Sequence, residues 1–173
     1  MFHVERTIEN LIRKGIAAII VLLFFTLCAC NAARDRQTIP DYLILENGKT
    51  AVGTKPLNAF IFENTRQDIL FQKFLVARYK AVDLNEKEYN IQIDGQHFQM
   101  LVYDNPELEK YFDVSKFIIT NLQPETEATV NMPKFIAISV ISANNEDCLS
   151  EQSIFHNITI NYLKTLKDDF LKL

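Results

Sequence analysis

Tryptophan is absent from this 173-residue chain, and glycine (4), proline (5), histidine (3) and cysteine (3) are scarce. Each scarcity removes a class of chemistry. Four separated glycines cannot build a Gly-rich loop whose bare backbone cradles a phosphate. So few glycines and prolines also exclude a collagenous, linker-rich or low-complexity chain. A metal site wants His, Cys and carboxylates at short helical or hairpin spacings, and no histidine here has a second one near it. There is no GxSxG elbow, no SxxK and no HExxH. Cations are outnumbered, with 18 Lys and Arg against 22 Asp and Glu for a net charge of −4. That balance argues against nucleic acid, whose binders cluster Lys and Arg. No segment repeats at a fixed period.

What is present is distinctive first at the N-terminus. Residues 1–15 are polar and mixed in charge, ending in Arg13-Lys14-Gly15. Ile16 to Leu27 (IAAIIVLLFFTL) is an almost unbroken apolar run. Leu27-Cys28-Ala29-Cys30 follows, and the chain turns polar at once through Asn31, Arg34, Asp35 and Arg36. A charged leader, an apolar stretch and a small-residue site are the parts of a secretory signal. The other readings are an uncleaved membrane helix, for which Ile16 to Cys30 falls short of the ~20 residues that span a bilayer, and a buried helix of a cytosolic protein.

Leu27, Cys28, Ala29 and Cys30 resemble the lipobox of bacterial lipoproteins: Leu, a small residue, Ala or Gly, then an obligatory Cys. The resemblance covers the first 30 residues only. It implies a signal peptide over 1–29 cut between Ala29 and Cys30, and acyl chains such as palmitate on the Cys30 thiol. Acylation of the new amine is common in that family. It further implies an address in the bacterial cell envelope, on the outer membrane or a periplasm-facing membrane. One acyl chain binds a bilayer marginally, whereas two or more anchor stably.

The segment 1–29 carries three of the cations (Arg6, Arg13, Lys14) and two of the acids (Glu5, Glu9), so its removal leaves 15 basic and 20 acidic residues. Of the three cysteines, Cys28 leaves with the signal and Cys30 is modified, so Cys148 stands alone. It cannot form an intramolecular disulfide. A lone thiol outside the cytoplasm either pairs with another chain or is buried, and burial is the commoner fate.

The expected organisation is a signal peptide at 1–29, a lipidated tether at 30–41 and a single α+β domain at 42–173. Tyr42–Leu45 and Ala59–Phe62 read as strands, with Asn47-Gly48 as a turn. A helix is expected over about 66–82, capped by Asn64 or Thr65, with Leu70, Phe71, Phe74, Leu75, Arg78 and Tyr79 on its buried face. Tyr89, Ile91 and Ile93, then Asp94-Gly95, then Phe98, Met100 and Val102 form a hairpin signature. Asn105-Pro106 opens a short helix to about Phe112. Lys116–Thr120 is a strand, 121–133 an acidic loop, and Phe135–Ser142 a strand near the middle of a sheet. A last helix should run from about Leu149 to Leu171, with Phe155, Ile158, Tyr162, Leu166 and Phe170 in one stripe. The order β-β-α-β-β-α-β-β-α, joined mostly by hairpin-length connections, predicts an α+β fold. Its sheet should be antiparallel or mixed, of about five to six strands, against two longer helices and one short helix. Part of that order matches ferredoxin-like domains in element order alone.

No catalytic residue, metal ligand or cofactor is assigned. His97 falls at a hairpin turn. His156 lies near Cys148, the only thiol–imidazole combination in the mature part, but nothing in the sequence puts the two in contact. The acidic pairs (Glu86/Glu88, Glu107/Glu109, Glu125/Glu127, Asp168/Asp169) fall in stretches that look exposed, whereas acid–base work needs a buried carboxyl. The expectation is a non-enzymatic envelope lipoprotein, a binding or accessory subunit with a protein partner. Two alternatives stand beside it. A binder of small apolar ligands or lipid would need a cavity between sheet and helices. An envelope hydrolase would need His97 or His156 in a concave site with buried carboxylates.

Overall fold

The computed structural model describes residues 37–46, 48, 56–66, 69–120 and 133–173. Ala29 and Cys30, and with them the signal peptide, lie outside the described residues, as do residues 121–132 of the acidic loop and Asn47. In chain order the elements are β1 (Gln37–Thr38), β2 (Leu43–Leu45), β3 (Ala59–Glu63), α1 (Phe71–Tyr79), β4 (Glu88–Ile93), β5 (Gln96–Tyr103), α2 (Asn105–Tyr111), β6 (Phe117–Ile118), β7 (Phe135–Ser142) and α3 (His156–Leu171).

Five strands form one antiparallel sheet in the order β2-β3-β7-β5-β4, and β1 and β6 form a separate parallel pair. The fold is α+β, as expected. The largely apolar β7 is the central strand, and every one of its residues is buried, Ser139 and Ser142 included. Asp94 and Gly95 close the β4–β5 hairpin with φ of 49° and 81°. Such a two-residue turn demands positive φ at both positions.

Side chains alternate across the sheet. One face offers Phe60, Phe62, Ile91, Met100, Ile138 and Val140, and α1 and α3 cover it with Phe71, Leu75, Leu163, Leu166 and Phe170. Rings carry much of that layer. Phe71 meets Phe62 with centroids 6.0 Å apart and Phe170 at 4.9 Å, both edge to face. The other face offers Ala59, Ile61, Tyr103 and Ala137, which pack with Leu108 and Phe112 around α2, with Ile39 just after β1 and with Phe117 of β6. Gly48 sits against this cluster. A Cβ there would lie 2.3 Å from Phe112 Cε1, so only glycine fits.

Several boundaries differ from the sequence reading. Gln37 and Thr38, placed in the tether by their polarity, pair with Phe117 and Ile118, and Ile39 beside them is buried. Asn64 does not cap α1. Its Oδ1 accepts the Arg66 N–H (3.1 Å) while its Nδ2 donates to the Pro133 carbonyl (2.9 Å), so it turns the chain at the end of β3. The helix begins only at Phe71, with Leu70 at its N-cap, and ends at Lys80 in the left-handed region. Of the strand expected over 116–120, two residues pair. The last helix begins at His156 because Ala143 to Phe155 run as turns and bends, with Cys148 and Leu149 buried among them. The stripe that α3 buries is Thr159, Ile160, Leu163, Leu166, Lys167 and Phe170. The expected Ile158 and Tyr162 flank it, half-buried.

Candidate functional site

In an antiparallel sheet the end of one strand lies beside the start of the next. The end of β2, the start of β3 and the end of β7 therefore meet at one edge of the molecule. Glu46, Leu57, Asn58, Glu146 and Asp147 come together there, and the turns before α3 add Glu151 and Ile154. The result is an open cleft of about 630 Å³. Four carboxylates line it, with no Lys, Arg or His among its described lining residues. Ile154 stands at its rim 86% exposed.

Asp147 is the fixed point. It bridges to Ile141 beyond the end of β7. Its Oδ2 accepts the Asn58 N–H (2.8 Å) and its Oδ1 the Leu149 N–H (2.9 Å). Burial raises its carboxyl above the usual range, and backbone donors and the nearby His156 offset only part of that rise. Behind it runs a hydrogen-bonded chain into the core. Tyr103 donates to Ser139 (2.9 Å), and Ser139 donates to the Asn58 carbonyl (2.5 Å). Burial pushes the Tyr103 phenol up to about 12. Its proton therefore stays in place at any ordinary pH. Ser142 Oγ accepts the N–H groups of Asn144 and Glu146, which shapes the turn carrying Glu146 and Asp147. Among its described residues the cleft is thus acidic and hydrogen-bonded at its base. It favours cationic over anionic groups. Among the described residues no three His, Cys or carboxylates are grouped to hold a metal.

The residues singled out from sequence are placed as follows. Cys148 is fully buried, and burial, with help from Asp147 and Glu146, pushes its thiol up to about 12. Its sulfur donates to the Glu146 carbonyl at 3.6 Å. His156 is half-buried with Nδ1 3.1 Å from the Leu149 carbonyl, so Cys148 and His156 each engage a backbone oxygen. His97 is exposed and faces Gln92 across the hairpin. Glu86, Glu88 and Glu109 are exposed, Glu107, Asp168 and Asp169 are half-buried, and Glu125 and Glu127 lie outside the described residues.

Two features escaped the sequence reading. The cleft draws on residues about a hundred positions apart, from 46 to 154, and only strand pairing reveals it. Lys167 is buried and paired with Asp41 and, at 3.2 Å, with Asp168. That one had a signal: Lys167 stands where the spacing from Ile160 and Leu163 to Phe170 calls for an apolar residue. Compared with protein-family models, with curated proteins and with solved structures, the chain matches none.

Proposed function

We propose that this chain is a lipid-anchored protein of the bacterial cell envelope that acts as a binding or accessory subunit for a protein partner. The observation that carries the location is Leu27-Cys28-Ala29-Cys30 at the end of an apolar run, with a polar chain immediately after it. No helix among the described residues is long and apolar enough to cross a membrane.

Binding rather than catalysis is favoured by where the reactive side chains sit. The thiol of Cys148 is buried and held protonated, and His97 is exposed at the start of β5 beside the hairpin turn. A protein partner is favoured over a small apolar ligand because rings fill the layer between the sheet and α1 and α3. Phe62, Phe71, Phe74 and Phe170 touch one another there. The acidic cleft is the concave face available to a partner, and a basic segment complements it.

The test is intact mass and membrane fractionation of the full chain and of Cys30→Ser in a bacterial host. The expected result is a wild-type chain that starts at Cys30, carries acyl mass and sediments with membranes, and a variant that does neither. If both retain Met1 and fractionate alike, the anchor reading fails.

A further inference from the structure

β4 is an edge of the five-stranded sheet, and its hydrogen-bonding phase is legible. The Val102 N–H donates to the Lys87 carbonyl (2.8 Å) one position before the strand proper. Bonded pairs in an antiparallel ladder recur every second residue. Tyr89, Ile91 and Ile93 therefore turn their backbone groups towards β5, and Glu88, Asn90 and Gln92 turn theirs outward. No described residue bonds to those outward groups.

Edge strands in folded proteins are normally blunted by lysine, proline, a bulge or a covering element. The six residues of β4, EYNIQI, contain no lysine and no proline. Their register with β5 runs from Glu88↔Leu101 to Ile93↔Gln96 without a slip, so there is no bulge. The connection feeding the strand also exposes two apolar side chains, Val82 fully and Leu84 by half. An edge built this way is suited to receive another strand.

We propose that the strand it receives is β4 of a second copy of this chain, antiparallel and centred on Asn90. The reasoning is self-complementarity. With Asn90 opposite Asn90 of the second copy, Glu88 lies opposite Gln92 and Gln92 opposite Glu88. All three outward residues of each copy then exchange backbone bonds, and no other two-fold register uses all three within the strand. Side chains agree with this pairing. The only charge on the strand, Glu88, meets an amide donor instead of its own copy, and the two Asn90 amides can bond each other. Like charges directly opposite would be destabilising. On the helix-covered face Tyr89 meets Ile91, extending an apolar row. The outcome is a continuous ten-stranded sheet across a two-fold axis, from two copies of the five-stranded sheet.

The inference does not rest on the lipid anchor and can be tested on the full chain purified in mild detergent. Directly opposed residues of this kind have Cα atoms about 5.5 Å apart, within disulfide range. Asn90→Cys should cross-link to a homodimer under mild oxidation. Glu88→Cys and Gln92→Cys should each fail to cross-link alone and should cross-link when mixed. Asn90→Lys, which places a charge on the dyad while leaving the internal ladder intact, should shift the dimer mass to that of the monomer. The proposal is overturned by a monomeric wild type, by a dimer that Asn90→Lys leaves intact, or by Asn90→Cys capturing a different protein.

Discussion

A single buried thiol sets where the fold should begin to lose stability in alkali. Cys148 has an ordinary value of 9.0 and is pushed up to about 12 in the folded chain. Between those values the folded chain keeps a proton that the unfolded chain has released. Stability therefore falls as pH rises through that window and is complete below it. Lys167 is also raised, from 10.5: burial lowers it, but Asp41 and Asp168 more than compensate. Its contribution is complete below pH 10.5 and falls as pH rises above that, adding to the upper part of the same decline. The denaturant midpoint should thus be flat from neutral pH up to about pH 9 and decline above it. In Cys148→Ala the decline should start later, from an unfolding free energy lowered by about 1 kcal/mol for the small void. An identical onset in the two proteins would place the alkaline loss elsewhere. The same burial makes Cys148 unreactive in the native state, so its role is one of packing.

The short helix α2 shows how much one element depends on its first residue. Its seven residues are too few to hold together on propensity alone. Asp104 caps it, accepting the Glu107 N–H at 2.9 Å, and Glu107 returns the bond to the Asp104 N–H at 3.2 Å. Lys87 approaches both carboxylates, at 2.6 and 2.9 Å. Partial burial pushes the Asp104 carboxyl up, and Lys87 with the Glu107 N–H brings it below the ordinary range. Asp104→Ala should cost about 1 kcal/mol by denaturant melting, the usual worth of such a cap. Asp104→Asn keeps the cap and loses the exposed ion pair, so it should cost a few tenths of a kcal/mol. Equal losses would make the ion pair, not the cap, the stabilising part. At this scale the sequence was legible where the signal is local. Asp94-Gly95 between alternating residues, Pro106 at a helix start and the apolar run of β7 each act within a few residues. It was illegible where a distant segment decides. Asn64 caps helices well in general, but here Pro133 takes its amide. Apolar residues before His156 continue the helical spacing, yet Asp147 and the end of β7 hold that stretch in turns.

At the scale of the whole molecule the N-terminal boundary matters most. Polarity alone put residues 37–41 in a tether, because β1 is two exposed residues and its partner strand β6 is no longer. The pairing, however, delivers Ile39 to the second core, where it is 4% exposed, and Asp41 to the buried Lys167. A lipidated Cys30 would then reach the fold through about seven residues, a span of at most ~25 Å. Such a domain would stand close to its membrane, within the reach of headgroup charge and of neighbours on the same surface. The boundary can be weighed directly with two soluble forms, one beginning at Arg36 and one at Tyr42. Burying Ile39 is worth about 2 kcal/mol, and the shorter form also strips Lys167 of Asp41 while leaving Asp168 beside it. The form beginning at Tyr42 should therefore melt several degrees lower in a thermal scan, and Ile39→Ala in the longer form should reproduce part of that loss by itself. Equal melting temperatures would mean that β1 adds nothing to the fold, and the tether would then run to Tyr42.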